Sequence, residues 1–222
     1  MPEIHTFRVD TASSLAFVQF LRIVTATANP EYLSSIIVNN LIGSISLPDS
    51  APLLQALPNL HSLSLDGLHS AEILQRDLAG AFPRLHTLTV AGLIMMESTT
   101  TSTWASLRNV AACPIPSVQE LVLRFALEGR RLDPPMAVLD GDIRYALRAL
   151  DWTLLDGVLS VYKDVALEFE LDRPSLAISQ AQMADTLRLV ESVARDRMSA
   201  RARQSVHLRV YWKVPSTDPH DT

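Results

Sequence analysis

Residues 57–68 read LPNLHSLSLDGL, and residues 82–93 read FPRLHTLTVAGL. The second stretch repeats the first with an offset of 25 residues, from Leu60 to Leu85. Each has a Pro, an L-x-x-L-x-(L/V) centre, a Gly and a closing Leu. A chain that repeats a short apolar phrase at this interval is specifying one structural unit more than once.

The same ruler fits elsewhere. It falls on Ile4, Phe7, Val9; on Leu33, Ile36, Val38; on Val118, Leu121, Leu123; and, more loosely, on Tyr162, Val165, Leu167. A seventh fit keeps only Val206 and Leu208. The units start at residues 4, 33, 60, 85, 118, 162 and 203, so they lie 29, 27, 25, 33, 44 and 41 residues apart. Alternating apolar places on a short β-rich segment point to one side, so places four and six of each unit face a core. The connectors are long enough for a helix and a return, which makes successive strands parallel neighbours joined by right-handed crossovers. One unit cannot bury its apolar face alone; stacked units can.

The connectors carry helix signals. Residues 13–28 put Leu15, Val18 and Leu21 on one stripe and stop at Asn29-Pro30. Residues 50–57 and 70–80 begin with Ser50 and Ser70, and the second meets Gly80 at its end. Residues 102–113 stop before Pro114. Residues 142–150 and 151–160 read as one bent helix or two short ones, with Asp142 and Asp151 as N-caps. Residues 179–198 open with Ser179 and Gln182 at capping-box spacing and carry Leu187, Val190 and Ala194. The reading is therefore an α/β chain: an irregular leucine-rich-repeat solenoid of six to seven units over residues 1–214, with a parallel sheet on the concave side, helices on the convex side and a loose tail at 215–222.

These phrases, with PSVQELVL (116–123), resemble the leucine-rich-repeat region of the F-box-like families of mushroom-forming fungi. LDWTLLDGVLSVYKDVALEFEL (150–171) is similar to their last repeats, where a Trp-containing helix precedes a final strand. The resemblance implies a substrate-recognition role in a ubiquitin-ligase subunit. Two departures stand beside it. No F-box-like segment, rich in Leu and Pro with a Trp, precedes the first repeat strand. The ninth place, Asn or Cys in the consensus, holds Ala12, Leu41, Leu68, Leu93 and Ala126.

Composition bounds the function. Of 222 residues, 48% are apolar and 19% charged, which is globular rather than disordered. A net charge of -5 gives no basic footprint for nucleic acid. Cys113 is the single cysteine, so there is no internal disulfide and no Cys-rich zinc site. The opening MPEIHTFRVD lacks a signal-peptide pattern, and the most apolar stretch is too short to span a bilayer. An intracellular protein, cytoplasmic or nuclear, without membrane or nucleic-acid partners, is the expectation.

No G-x-S-x-G, Walker, G-x-G-x-x-G or H-E-x-x-H motif occurs. His61 and His86 hold the same place in adjacent units, and His5 holds it two units earlier. The spacing fixes no third ligand beside them. The Asp140–Asp142 pair lacks the further oxygens of a cation loop. Arg195, Arg197, Arg201 and Arg203 crowd the end of the last helix, where cations suit the helix dipole. The expectation is a non-enzymatic protein-interaction scaffold with no cofactor and no metal. The rival is an enzyme or anion-binding protein using the Arg-rich helix or the His61/His86 pair. The third, fifth and seventh places face outward: Ser and Thr in early units, then Glu120, Arg124, Asp164, Glu168, His207 and Arg209. Those six residues are the expected protein-binding surface, with Arg124, Glu168 and Arg209 as a cross-strand line of alternating sign. The strand at Ile4–Asp10 begins almost at residue 1, so its edge is expected to be covered by self-association, by a partner or by residues missing from this chain.

Overall fold

The computed structural model describes residues 5–9, 12–27, 31–39, 41–42, 53, 56–66, 82–94, 107–108, 110–112, 114–127, 136–171 and 179–213. Its centre is a seven-stranded, all-parallel, open sheet. The strands are β1 (Thr6–Val9), β3 (Ser35–Val38), β5 (Ser62–Asp66), β6 (Thr87–Ile94), β7 (Glu120–Leu127), β8 (Asp164–Leu171) and β9 (Val206–Trp212), and they lie side by side in chain order. Each unit of the sequence ruler therefore contributes one strand, laid beside the strand of the unit before.

The register follows the ruler residue for residue. Phe7 pairs with Ile36, Ile36 with Leu63, Leu63 with Leu88, Leu88 with Leu121, Leu121 with Val165 and Val165 with Val206. Places four and six form apolar rungs: Leu63, Leu65, Leu88, Val90, Leu121 and Leu123 are all buried. They share one core with the buried stripes of the helices. Place one is also buried, at Leu33, Leu60, Leu85, Val118 and Tyr162, and the Tyr162 hydroxyl accepts from the Ile115 amide at 3.3 Å.

Five helices are described: α1 (Ser14–Thr27), α2 (Met136–Ala149), α3 (Trp152–Val161), α4 (Gln180–Arg197) and α5 (Ala200–Ser205). In α1, Val18, Leu21 and Val24 face the core at helical spacing. Asp151 caps α3, its carboxylate accepting from the Thr153 and Leu154 amides. Ser179 and Gln182 close the expected capping box on α4. The Trp152 indole donates to the Leu147 carbonyl at 2.9 Å and ties α3 back onto α2.

Four readings change. Asp142 is not an N-cap: α2 starts at Met136, six residues earlier, and Asp142 is exposed inside it. Asp and Gly have lower helix propensity than Ala but do not forbid a helix interior. The Arg-rich segment is two helices, because Met198 takes an extended conformation and Ser199 caps α5. A second, two-stranded parallel sheet pairs β2 (Ala12–Ser13) with β4 (Leu41–Ile42). Ala12 and Leu41 are the ninth places of the first two units, so there a backbone ladder stands where the consensus has a side-chain amide. The later strands also outrun the ruler, with eight residues in β6, β7 and β8. Helices expected at 50–57 and 70–80, Cys113 and the tail at 215–222 lie outside the described residues, apart from single positions within 50–57; of 102–113, residues 107–108 and 110–112 are helical.

Candidate functional site

Because side chains alternate along a strand, the residues between the buried rungs point to the face away from the helices. Across β1, β3, β5 and β6 this open face carries Thr6, Arg8, Ser35, Ile37, Ser62, Ser64, Thr87 and Thr89. From β7 onward charged residues stand on neighbouring strands. Glu120 pairs with Asp164 on one rung; Val122, Ala166 and His207 share the next; Arg124, Glu168 and Arg209 share the third; Ala126, Glu170 and Tyr211 share the fourth.

The third rung is a bonded unit. Arg124 Nε donates to Glu168 Oε2 at 2.8 Å, Arg209 Nη1 donates to Oε1 at 3.1 Å, and the Tyr211 hydroxyl donates to Oε2 at 3.1 Å. Glu168 was expected to stand exposed, yet it is one of two buried polar or charged residues among those described, 5% exposed. The reason is its place on the central strand of three. Donors on both neighbours and one from the next rung close over its carboxylate. The flanking guanidiniums stay open, with Arg124 36% and Arg209 59% exposed.

The electrostatics agree with this arrangement. Burial alone would raise the Glu168 pKa, but the Arg124 hydrogen bond and charge, helped by Tyr211 and Arg209, hold it below the ordinary glutamate value. Burial alone would lower the Arg124 pKa, and the hydrogen bond to Glu168 with the surrounding negative charge more than reverses that. Burial, then the Glu168 and Glu170 carboxylates, push the Tyr211 phenol above its usual value and keep it a donor. On β6 the pairing register slips between Val90 and Leu93, opposite Arg124. The small Ala91 lies in that slip.

The other charges are looser. His207 Nε2 lies 3.4 Å from Asp164, and Lys213 lies 3.7 Å from Glu170. Thr87 donates to Glu120 at 3.3 Å. All six sequence-expected surface residues thus fall on one patch of the open face. Tyr211 and Glu170 were missed, although both stand at the ninth place of their units, three residues past where the ruler stops.

The rival sites are placed plainly. His61 and His86 are neighbours, with near-parallel rings 5.9 Å apart. Among the described residues no group of three or more His, Cys, Asp or Glu side chains can hold a metal ion. Arg195 binds Glu191 at 3.0 Å, and Arg203 Nε donates to the Met198 carbonyl at 3.1 Å, so half of the Arg cluster is engaged locally. Among the described residues no helix is long and apolar enough to cross a membrane. In comparison with known proteins, the chain matches no family model and no curated protein.

Proposed function

We propose that this chain is a non-enzymatic protein-interaction scaffold, an irregular leucine-rich-repeat solenoid that presents the open face of β7, β8 and β9 to a protein partner inside the cell. The observation that carries the reading is Glu168. A buried carboxylate with donors from Arg124, Arg209 and Tyr211 fixes two half-open guanidiniums on a rigid sheet. A preorganised charged patch filters partners, because misplaced like charge against it is costly. Repetition supports the solenoid: each unit adds one strand to the side of its predecessor. By its resemblance to the fungal F-box-like families, the role is substrate recognition, with the open face as the recognition surface. The strand at the other end of the sheet, β1, is a second contact point and pairs copies of the chain edge to edge.

The test is Arg124→Glu. It places a carboxylate beside Glu168 and reverses one charge of the patch. Circular dichroism reports whether the fold survives, and pull-down reports partner capture. Lost capture with an intact fold is the expected result. Unchanged capture with an intact fold would leave the patch as a structural ion-pair ladder and end this reading.

A further inference from the structure

The charged patch is not uniform; it is a dipole laid along the strands. At its first rung Glu120 and Asp164 are direct cross-strand partners, two carboxylates side by side. Like charges in that position repel and weaken the sheet. Among the described residues, the Thr87 hydroxyl and His207 lie against them in hydrogen-bond or ion-pair range. Two rungs further on, Arg124 and Arg209 share the single carboxylate of Glu168, which leaves one positive charge over. Between the two lie Val122 and Ala166, both uncharged, with His207 beside Ala166 on the same rung and turned to Asp164.

From the first rung to the third is four residues along each strand, about 13 Å at the rise of a β-strand. We propose that the partner segment is an extended peptide carrying a Lys or Arg and an Asp or Glu four residues apart, the basic side chain between Glu120 and Asp164 and the acidic one between Arg124 and Arg209. The inference rests on the open face being the binding surface and adds the chemistry of what binds there.

Extended geometry is selected by distance and direction together. In an extended chain residues i and i+4 point to the same side and stand about 13 Å apart. In a helix, i and i+4 are only about 6 Å apart. A helix reaches about 13 Å after nine residues, where the side chain has turned to the opposite face. The basic side chain would also relieve the Glu120–Asp164 repulsion. Each guanidinium has five N–H donors, and Arg124 commits Nε and Arg209 commits Nη1 to Glu168. Donors therefore remain on both for an incoming carboxylate.

The experiment is panning of a phage-displayed library of random decapeptides on the immobilised chain. Enriched peptides are then measured on wild type, on Glu120→Gln/Asp164→Asn and on Arg209→Gln, with circular dichroism of each variant. The paired neutral variant removes a repulsion, so it keeps the fold. The expected result is enrichment of opposite charges at i and i+4, in either order because a peptide can lie in either direction. Affinity should fall about fivefold or more on each variant. Peptides that lack the charge pair, but lose binding to Arg124→Glu, would overturn this inference and leave the binding surface standing. Peptides insensitive to Arg124→Glu would overturn both. No enrichment at all would overturn the peptide inference.

Discussion

Glu168 on β8 and Arg124 on β7 meet at 2.8 Å across adjacent parallel strands, the carboxylate side chain 7% exposed and the guanidinium 36%. The two partners are therefore unequal. Glu168 has little water to fall back on, whereas each Arg keeps part of its hydration. Removing either Arg leaves Glu168 two of its three donors, whereas removing the carboxylate breaks all three bonds at once and should cost more.

Glu168→Ala is expected to lower stability by about 1.5–3 kcal/mol, the range for a lost hydrogen bond to a charged group. Arg209→Ala, at the more exposed end of the rung, should cost less than about 1 kcal/mol. Urea titration of both variants checks the order. Equal midpoints would mean that the rung is a surface ladder with no central anchor.

Glu168 also sets an acid limit. Its folded-state pKa is lowered, so the stability it contributes is fully present above the unfolded glutamate value of about 4.3 and is lost as pH falls through the folded value. Other carboxylates act in the same window; Asp151, held down by its Thr153 hydrogen bond, is one. The informative quantity is the difference between proteins. Wild type should lose urea resistance more steeply than Glu168→Gln between about pH 5 and pH 3. Parallel curves would mean that Glu168 titrates alike folded and unfolded.

Leu88 lies at the centre of the apolar rung that runs from Leu63 through Leu121, and it is fully buried. Leu88→Ala should cost about 2–5 kcal/mol, the transfer term plus the cavity left on a rigid sheet. A wild-type urea midpoint for this variant would contradict the register of β5, β6 and β7.

Strand order and register were legible because period-two burial leaves a direct mark: a slip of one residue would expose Leu63, Leu88 and Leu121 together. Asp151 and Ser179 were legible because a cap is a local bond with a fixed spacing. Three things were not. The start of α2 depends on residues 136–142, where Gly141 and two Asp residues argue weakly against helix. The β2–β4 ladder joins segments whose own apolar pattern is two residues long. The burial of Glu168 needed Tyr211, and Tyr211 reaches it only because β9 continues past the ruler to Trp212. The six charged positions could be read from alternation; which of them is the anchor required three dimensions.

At the other end of the sheet β1 pairs, among the described residues, with β3 alone. Its core-facing Phe7 and Val9 are only partly buried, while their register partners Ile36 and Val38 are fully so. Phe7 does pack on Phe20 of α1, with ring centroids 4.3 Å apart, so the strand is anchored from one side. An edge strand that keeps its apolar side chains half-covered is a template for another strand. The chain should therefore self-associate weakly through β1, with a sedimentation coefficient that rises with concentration. Thr6→Lys puts a charge on the edge from its exposed face and leaves Phe7 and Val9 in place, so it should hold the chain monomeric without loss of helical signal. Amides of residues 6–9 should exchange more slowly in concentrated wild type than in dilute wild type. A wild-type chain that stays monomeric at every concentration, with rapid exchange over those four residues, would mean that the edge frays instead of pairing.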